Sequence, residues 1–150
     1  MITIKQIQKE KDFLENFSKD DFINFLFKHL ERFGDTKDAI SESINYAFSS
    51  TEGKGGFLLM AYYNNELVGE LVMNKTGMSG YIPDYILVYI AVDGKIRGKG
   101  IGRKIVEEAM KICNSDIALH VEYDNPAKRL YERLGFTSKY AEMRYKKPEK

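Results

Sequence analysis

The sequence predicts a mixed α/β fold, a mixed sheet with helices packed on both faces. Three observations carry this. Strand-like and helix-like segments succeed one another along the whole chain as strand, two helices, three strands, helix, strand, helix, strand. One segment, Tyr85 to Val92 (YILVYIAV), is aromatic and β-branched throughout, as a central strand buried on both faces would be. That segment runs through a glycine-rich stretch directly into an amphipathic helix.

Taken in order, Ile2 to Gln6 alternate apolar and polar and read as a short strand. Asp20 or Asp21 is a suitable cap for a helix presenting Phe22, Phe25, Leu26, Leu30 and Phe33 and ending at Gly34. A second helix, capped by Asp35 or Thr36, carries Ile40, Ile44, Ala47 and Phe48 on one face. Phe57 to Tyr63 and Leu67 to Met73 form a hairpin about Asn64-Asn65. Lys75 to Asp84 is a loop. After the Tyr85 strand and the glycine stretch, a helix from about Gly100 to Ile112 shows a stripe of Ile101, Ile105, Val106, Ala109, Ile112 and Cys113. Ile117 to Tyr123 reads as a strand. Asn125 caps a helix opened by Pro126, with Ala127, Leu130, Tyr131 and Leu134 inward and Gly135 at its end. A last strand is expected around Ser138 to Tyr145.

Composition fits one globular domain over residues 1–150. The chain is 43% hydrophobic and 30% charged, with a net charge of +1 that argues against a general nucleic-acid binder. The N-terminus has no apolar signal core, and no apolar run approaches the roughly 20 residues of a membrane span. The cytoplasm is the expected location, with no membrane partner. The single cysteine, Cys113, cannot form an intrachain disulfide and reads as buried filler. His29 reads as a solvated or rim residue, and Lys146, Lys147 and Lys150 as a solvated tail.

The stretch from Val92 to Arg103 (VDGKIRGKGIGR) holds the chemistry. A helix start leaves backbone N–H groups unpaired and carries partial positive charge, so an anion is its natural partner. Glycines let the backbone approach a ligand closely. Lys95, Arg97, Lys99, Arg103 and Lys104 add positive charge. A pyrophosphate suits all of these features, although a basic turn without a ligand has the same composition. The run is no P-loop, since no Gly-Lys-Ser/Thr follows a spaced glycine, and no dinucleotide fingerprint, since Arg103 stands where the third glycine would be.

Two blocks resemble the GCN5-related N-acetyltransferases. Arg97-Gly98-Lys99-Gly100-Ile101-Gly102 matches that family's Arg/Gln-x-x-Gly-x-Gly/Ala signature. Asn125-Pro126-Ala127 through Tyr131 to Gly135-Phe136 resembles its Asn-x-x-Ala-x-x-x-Tyr-x-x-x-Gly-Phe ending. The resemblance is firm over roughly Tyr85 to Phe136. It implies a mostly antiparallel mixed sheet that splays between its fourth and fifth strands. It also implies an acetyl-CoA-dependent N-acetyltransferase acting on a primary amine, without a metal, and it allows a homodimer.

In this resemblance the backbone of Ile90, Ala91 and Val92 pairs with the pantetheine arm. The segment Arg97, Gly98, Lys99, Gly100, Ile101, Gly102 and Arg103 holds the pyrophosphate. Asn125 bonds the cofactor arm, and Tyr131 protonates the leaving thiolate. Asn125 equally suits a plain helix cap, and Tyr131 a core aromatic. An N–H near Ile90 or Val92 is the natural oxyanion donor. The Tyr85 strand lacks the carboxylate that many family members carry there. Glu70 on the neighbouring strand is the favoured base, ahead of His120, Glu122 or a water chain; His120 and Glu122 would share one face of a strand. The N-terminal helices and the loop Thr76 to Pro83 are expected to line the acceptor side, with Tyr85 and Tyr89 adding polar tips. A small amine or amino acid is the expected acceptor. A peptide or protein acceptor, or an acyl-CoA sensor without catalysis, are the other readings.

Overall fold

The computed structural model describes residues 1–149. Lys150 of the expected tail lies outside the described residues; Lys146 and Lys147 are exposed. The chain forms two compact units, one running from Met1 to Leu119 and the other beginning at His120.

The first unit is a five-stranded sheet of order β1-β2-β3-β4-β5, built from β1 (Ile2–Ile7), β2 (Gly56–Tyr63), β3 (Glu66–Lys75), β4 (Tyr85–Val92) and β5 (Ile117–Leu119). The first four strands pair antiparallel and β5 joins β4 in parallel. The hairpin turn falls at Asn64 and Asn65, both with positive φ, the backbone a tight hairpin demands and asparagine tolerates.

Helices α1 (Lys19–Leu30) and α2 (Lys37–Phe48) cover one face. The cap of α1 is Ser18 rather than Asp20 or Asp21. Its Oγ accepts from the Asp21 N–H at 3.1 Å, and the Asp21 carboxylate accepts from the Ser18 N–H at 2.9 Å. This reciprocal box satisfies two orphan donors at once, which one aspartate cannot do. Thr36 caps α2 as expected. α1 stops at Leu30, short of Gly34, because Glu31 turns out of the helix at φ 56° into a 3-10 turn. Phe22, Ile23, Leu26, Ile40, Ile44 and Ala47 pack with Leu58, Met60, Val72, Tyr89 and Ala91 into the core of this face.

Helix α3 (Ile101–Cys113) covers the other face. Gly69 lets it approach: a Cβ there would stand 2.5 Å from Ile105 Cδ1. Cys113 is buried, and burial pushes its thiol up to about 12, so it is inert filler as expected.

β4 departs from the expected fully buried strand in a way that shapes the site. Val72 pairs with Tyr89 but Met73 with Leu87, so Val88 is an extra residue, a bulge. The bulge reverses which face each side chain takes. It also falls where pairing to β5 ends, at Leu87 with Leu119. β5 is therefore three residues long, not the seven of Ile117 to Tyr123. His120 and Glu122 lie beyond it outside any strand, so they share no sheet face.

The second unit contains helix α4 (Ala127–Arg133), and Tyr131 packs edge-on against Phe136 with ring centroids 5.8 Å apart. The strand expected at Ser138 to Tyr145 does not form. Every residue from 137 to 145 is exposed, and the alternation of the segment finds no partner strand.

Candidate active site

The site begins where β4 loses its β5 partner. In an antiparallel ladder, successive residues point their backbone groups alternately toward and away from the partner strand. The Asp93 N–H donates to the Val68 carbonyl at 2.8 Å, so Asp93 faces β3. Val92, opposite Gly69, then faces away. By the same alternation Ala91, opposite Glu70, faces β3 and Ile90 faces away. Because β5 stops pairing at Leu87, the backbone of Ile90 and the N–H of Val92 face away from β3 with no partner strand, and the Val92 carbonyl takes the Arg97 Nε instead. Ala91, expected to contribute its backbone alongside them, spends it on Glu70 and turns its side chain into the α1–α2 core. Ile90 and Val92 are half-buried, Ala91 buried.

At the end of β4 the chain enters the glycine loop. Gly98 and Gly100 take φ of 87° and 74°, in the left-handed region. Nothing lies within 4 Å of a Cβ built on either, so the backbone is open to a ligand. Gly100 is the N-cap of α3 and offers no side chain to the helix start. The first helical bond runs from the Lys104 N–H to the Gly100 carbonyl, leaving the amides of Ile101, Gly102 and Arg103 without helix partners. These are the donors a diphosphate needs. Lys99 and Arg103 are exposed beside them, Arg103 bonded to Glu107 at 3.4 Å. Ile101 anchors the turn through its buried side chain.

Arg97 is engaged within the chain. Its Nε donates to the Val92 carbonyl at 3.2 Å, its Nη2 to the His29 carbonyl at 2.7 Å and its Nη1 to the Glu31 carboxylate at 2.9 Å. His29 is a rim residue, one of the two expected readings: it is half-buried, and its Nδ1 accepts from the Gly94 N–H at 3.3 Å. Burial holds its imidazole below the usual range.

Glu70 sits opposite Ala91 with its side chain on the α1–α2 face. It is fully buried and neither carboxylate oxygen has a hydrogen-bond partner. Burial, reinforced by Asp21, pushes it well above the ordinary carboxyl range. Nearby, the Tyr89 hydroxyl donates to Asp35 at 2.6 Å, tying the α1–α2 connection to β4. The loop Thr76 to Pro83 lies at the opposite end of β4 from the glycine loop. Gly77 and Met78 of that loop border a surface pocket with Ser49, Gly55, Lys75 and Tyr85.

In the second unit Tyr131 is buried, which pushes its hydroxyl up to about 12. Helix α4 starts at Ala127 with Pro126 at its N-cap rather than as its first residue, and the Asn125 Oδ1, one position further out, accepts from the Ala127 N–H at 2.9 Å, leaving its side-chain amide hydrogens for another partner. Among the described residues no group of three or more His, Cys, Asp or Glu could hold a metal, and no helix is long and apolar enough to cross a membrane.

The acetyltransferase (GNAT) family model matches residues 12–136. No curated protein matches the sequence significantly. Among solved structures, a GNAT family acetyltransferase from Streptococcus pneumoniae TIGR4 is similar at TM-score 0.68 and 16% identity, covering 99% of this chain and 100% of that one. An aminoglycoside N-acetyltransferase in complex with CoA gives TM-score 0.72 at 13% identity, covering 98% and 95%. A ribosomal-protein-alanine N-acetyltransferase from Brucella melitensis gives 0.61 at 17%, covering 97% and 99%.

Proposed function

The chain belongs to the GNAT acetyltransferase family, and on that premise we propose that it is one acetyltransferase domain over residues 1–150 that moves an acetyl group from acetyl-CoA to the primary amine of a small molecule or amino acid. The observation that carries the reading is the succession of open backbone donors. The Ile90 backbone and the Val92 N–H, left without a partner strand, stand at the head of the loop that ends in the uncapped amides of Ile101 to Arg103. An extended pantetheine arm matches the first, and a diphosphate the second. Asn125 offers its remaining amide hydrogens to the arm. The cytoplasm is the proposed location, and neither metal, nucleic acid nor membrane has a part in the reaction.

Acetyl-CoA supplies an activated thioester, and the chain's own groups supply position and proton transfer. Holding both reactants in register lowers the barrier by several kcal/mol. The Glu70 carboxylate takes a proton from the incoming ammonium. The amine nitrogen then bonds the carbonyl carbon as the carbon–sulfur bond breaks, and the second proton that nitrogen sheds passes to water, from which Tyr131 is reprotonated. The N–H of Ile90 or Val92 stabilises the oxyanion that develops. Tyr131 delivers its hydroxyl proton to the departing sulfur, a role suited to a phenol that burial keeps protonated.

The absence of a carboxylate from β4 and the sealed position of Glu70 favour one other reading, a sensor that binds acyl-CoA without turnover. Thiol release from acetyl-CoA, measured with amino acids, polyamines and peptides, separates the cases. Release with small amines is expected. Release with peptides alone assigns a protein or peptide acceptor, and none with any amine despite coenzyme binding assigns the sensor.

A further inference from the structure

We propose that Arg97 is a positioning residue, not a counter-charge for the diphosphate: with Glu31 and His29 it clamps the last turn of α1 to the coenzyme loop. The functional part of this inference rests on the acetyl-CoA reading above; the clamp itself does not. A guanidinium has five donors in a rigid plane. Three separate nitrogens of Arg97 are already committed to the Val92 carbonyl, the His29 carbonyl and the Glu31 carboxylate. These acceptors come from the end of β4 and from the end of α1, so the plane of one side chain fixes two elements against the loop that contains it.

Two independent observations point the same way. The Gly94 N–H, in the same loop, donates to His29 Nδ1, a second link between the same two elements. Glu31 also holds φ 56° and ψ −132°, a conformation a non-glycine residue adopts only under strain. That strain falls on the residue whose carboxylate receives Arg97. An exposed ion pair by itself contributes little, and Arg97 and Glu31 are about half exposed. The two carbonyl bonds give the fork its direction, and the ion pair completes it.

The consequence concerns order of events. Coenzyme binding at the loop amides acts on a loop already tied to the end of α1. A loop held in place before the coenzyme arrives needs less ordering on binding.

Two variants test this. Arg97→Lys keeps the charge but loses the fork. Glu31→Ala removes the carboxylate while leaving a side chain that is equally strained at positive φ. The readouts are hydrogen exchange of the Asp93–Arg97 amides in the ligand-free protein and CoA affinity by calorimetry. Both variants are expected to exchange roughly three- to tenfold faster in this segment and to bind CoA weaker by a similar factor, the effect of losing an ordinary intramolecular hydrogen bond. The Glu31→Ala result is diagnostic in sign, because removing a negative charge near a diphosphate tightens binding when charge alone matters. Unchanged exchange in both variants overturns the clamp, as does tighter CoA binding by Glu31→Ala with full affinity in Arg97→Lys. If the unmodified protein binds no CoA yet both variants accelerate exchange, the clamp stands and the acetyl-CoA reading fails.

Discussion

Glu70→Gln is expected to slow acetyl transfer by roughly 10²- to 10⁴-fold, the contribution of a placed base, while making the fold harder to melt at mildly alkaline pH. The two effects have one origin. Glu70 is fully buried with both oxygens unpartnered, so its ionised form is costly in the folded state. Its folded pKa lies above its unfolded one. Folding then takes up a proton between those two values, and stability falls as pH rises through that window. A single such group changes stability by at most about 1.4 kcal/mol per pH unit. Glutamine cannot ionise, so the variant gains over the parent as pH rises from the ordinary carboxyl range, and below that range their difference no longer changes with pH. The same raised pKa places the acid limb of the parent's kcat/KM profile above the ordinary carboxyl range. Thermal melts and pH–rate profiles of the pair check both halves. A variant that is stabilised yet fully active removes Glu70 from catalysis and leaves it a buried liability.

Tyr131→Phe is expected to lower kcat by roughly 10²- to 10⁴-fold with CoA affinity nearly unchanged. The substitution deletes one hydroxyl and keeps the ring that packs on Phe136. Because burial holds that hydroxyl at about 12, it stays protonated across the working range. The alkaline limb of the rate, where it reflects this group, therefore falls above the ordinary tyrosine value. Steady-state kinetics beside calorimetry decide the point: equal loss in kcat and in affinity contradicts a proton donor and assigns a packing role.

These residues differ in how readily the sequence revealed them. The glycine loop was legible because its signals are local: a buried strand, left-handed glycines at Gly98 and Gly100, and a helix start follow one another within a few residues. Glu70 stood out as a carboxylate inside an apolar strand, and the structure buries it. The clamp was not legible, since Arg97 reaches His29 and Glu31 across 68 and 66 positions, and no local pattern encodes such a meeting. The two misjudged strands share a physical cause. Alternation from Ile117 to Tyr123 and from Ser138 to Tyr145 satisfies the strand period, but a strand exists only where another backbone pairs with it. The bulge at Val88 ends pairing to β5 at Leu119, and the later segment has no partner. The cap of α1 was misplaced by two or three residues for a related reason: Ser18 and Asp21 act as a pair, and either alone is an ordinary capping residue.

The claim on which the account rests is that open amides between Ile90 and Arg103 receive coenzyme A. An amide-resolved NMR titration of the full chain with CoA tests it most directly. The account requires saturable shifts concentrated at Ile90, Val92 and Gly98 to Arg103, with Ala91, whose N–H faces β3, moving less than its two neighbours. No shifts at saturating CoA, or shifts confined to the pocket at the far end of β4, would contradict it.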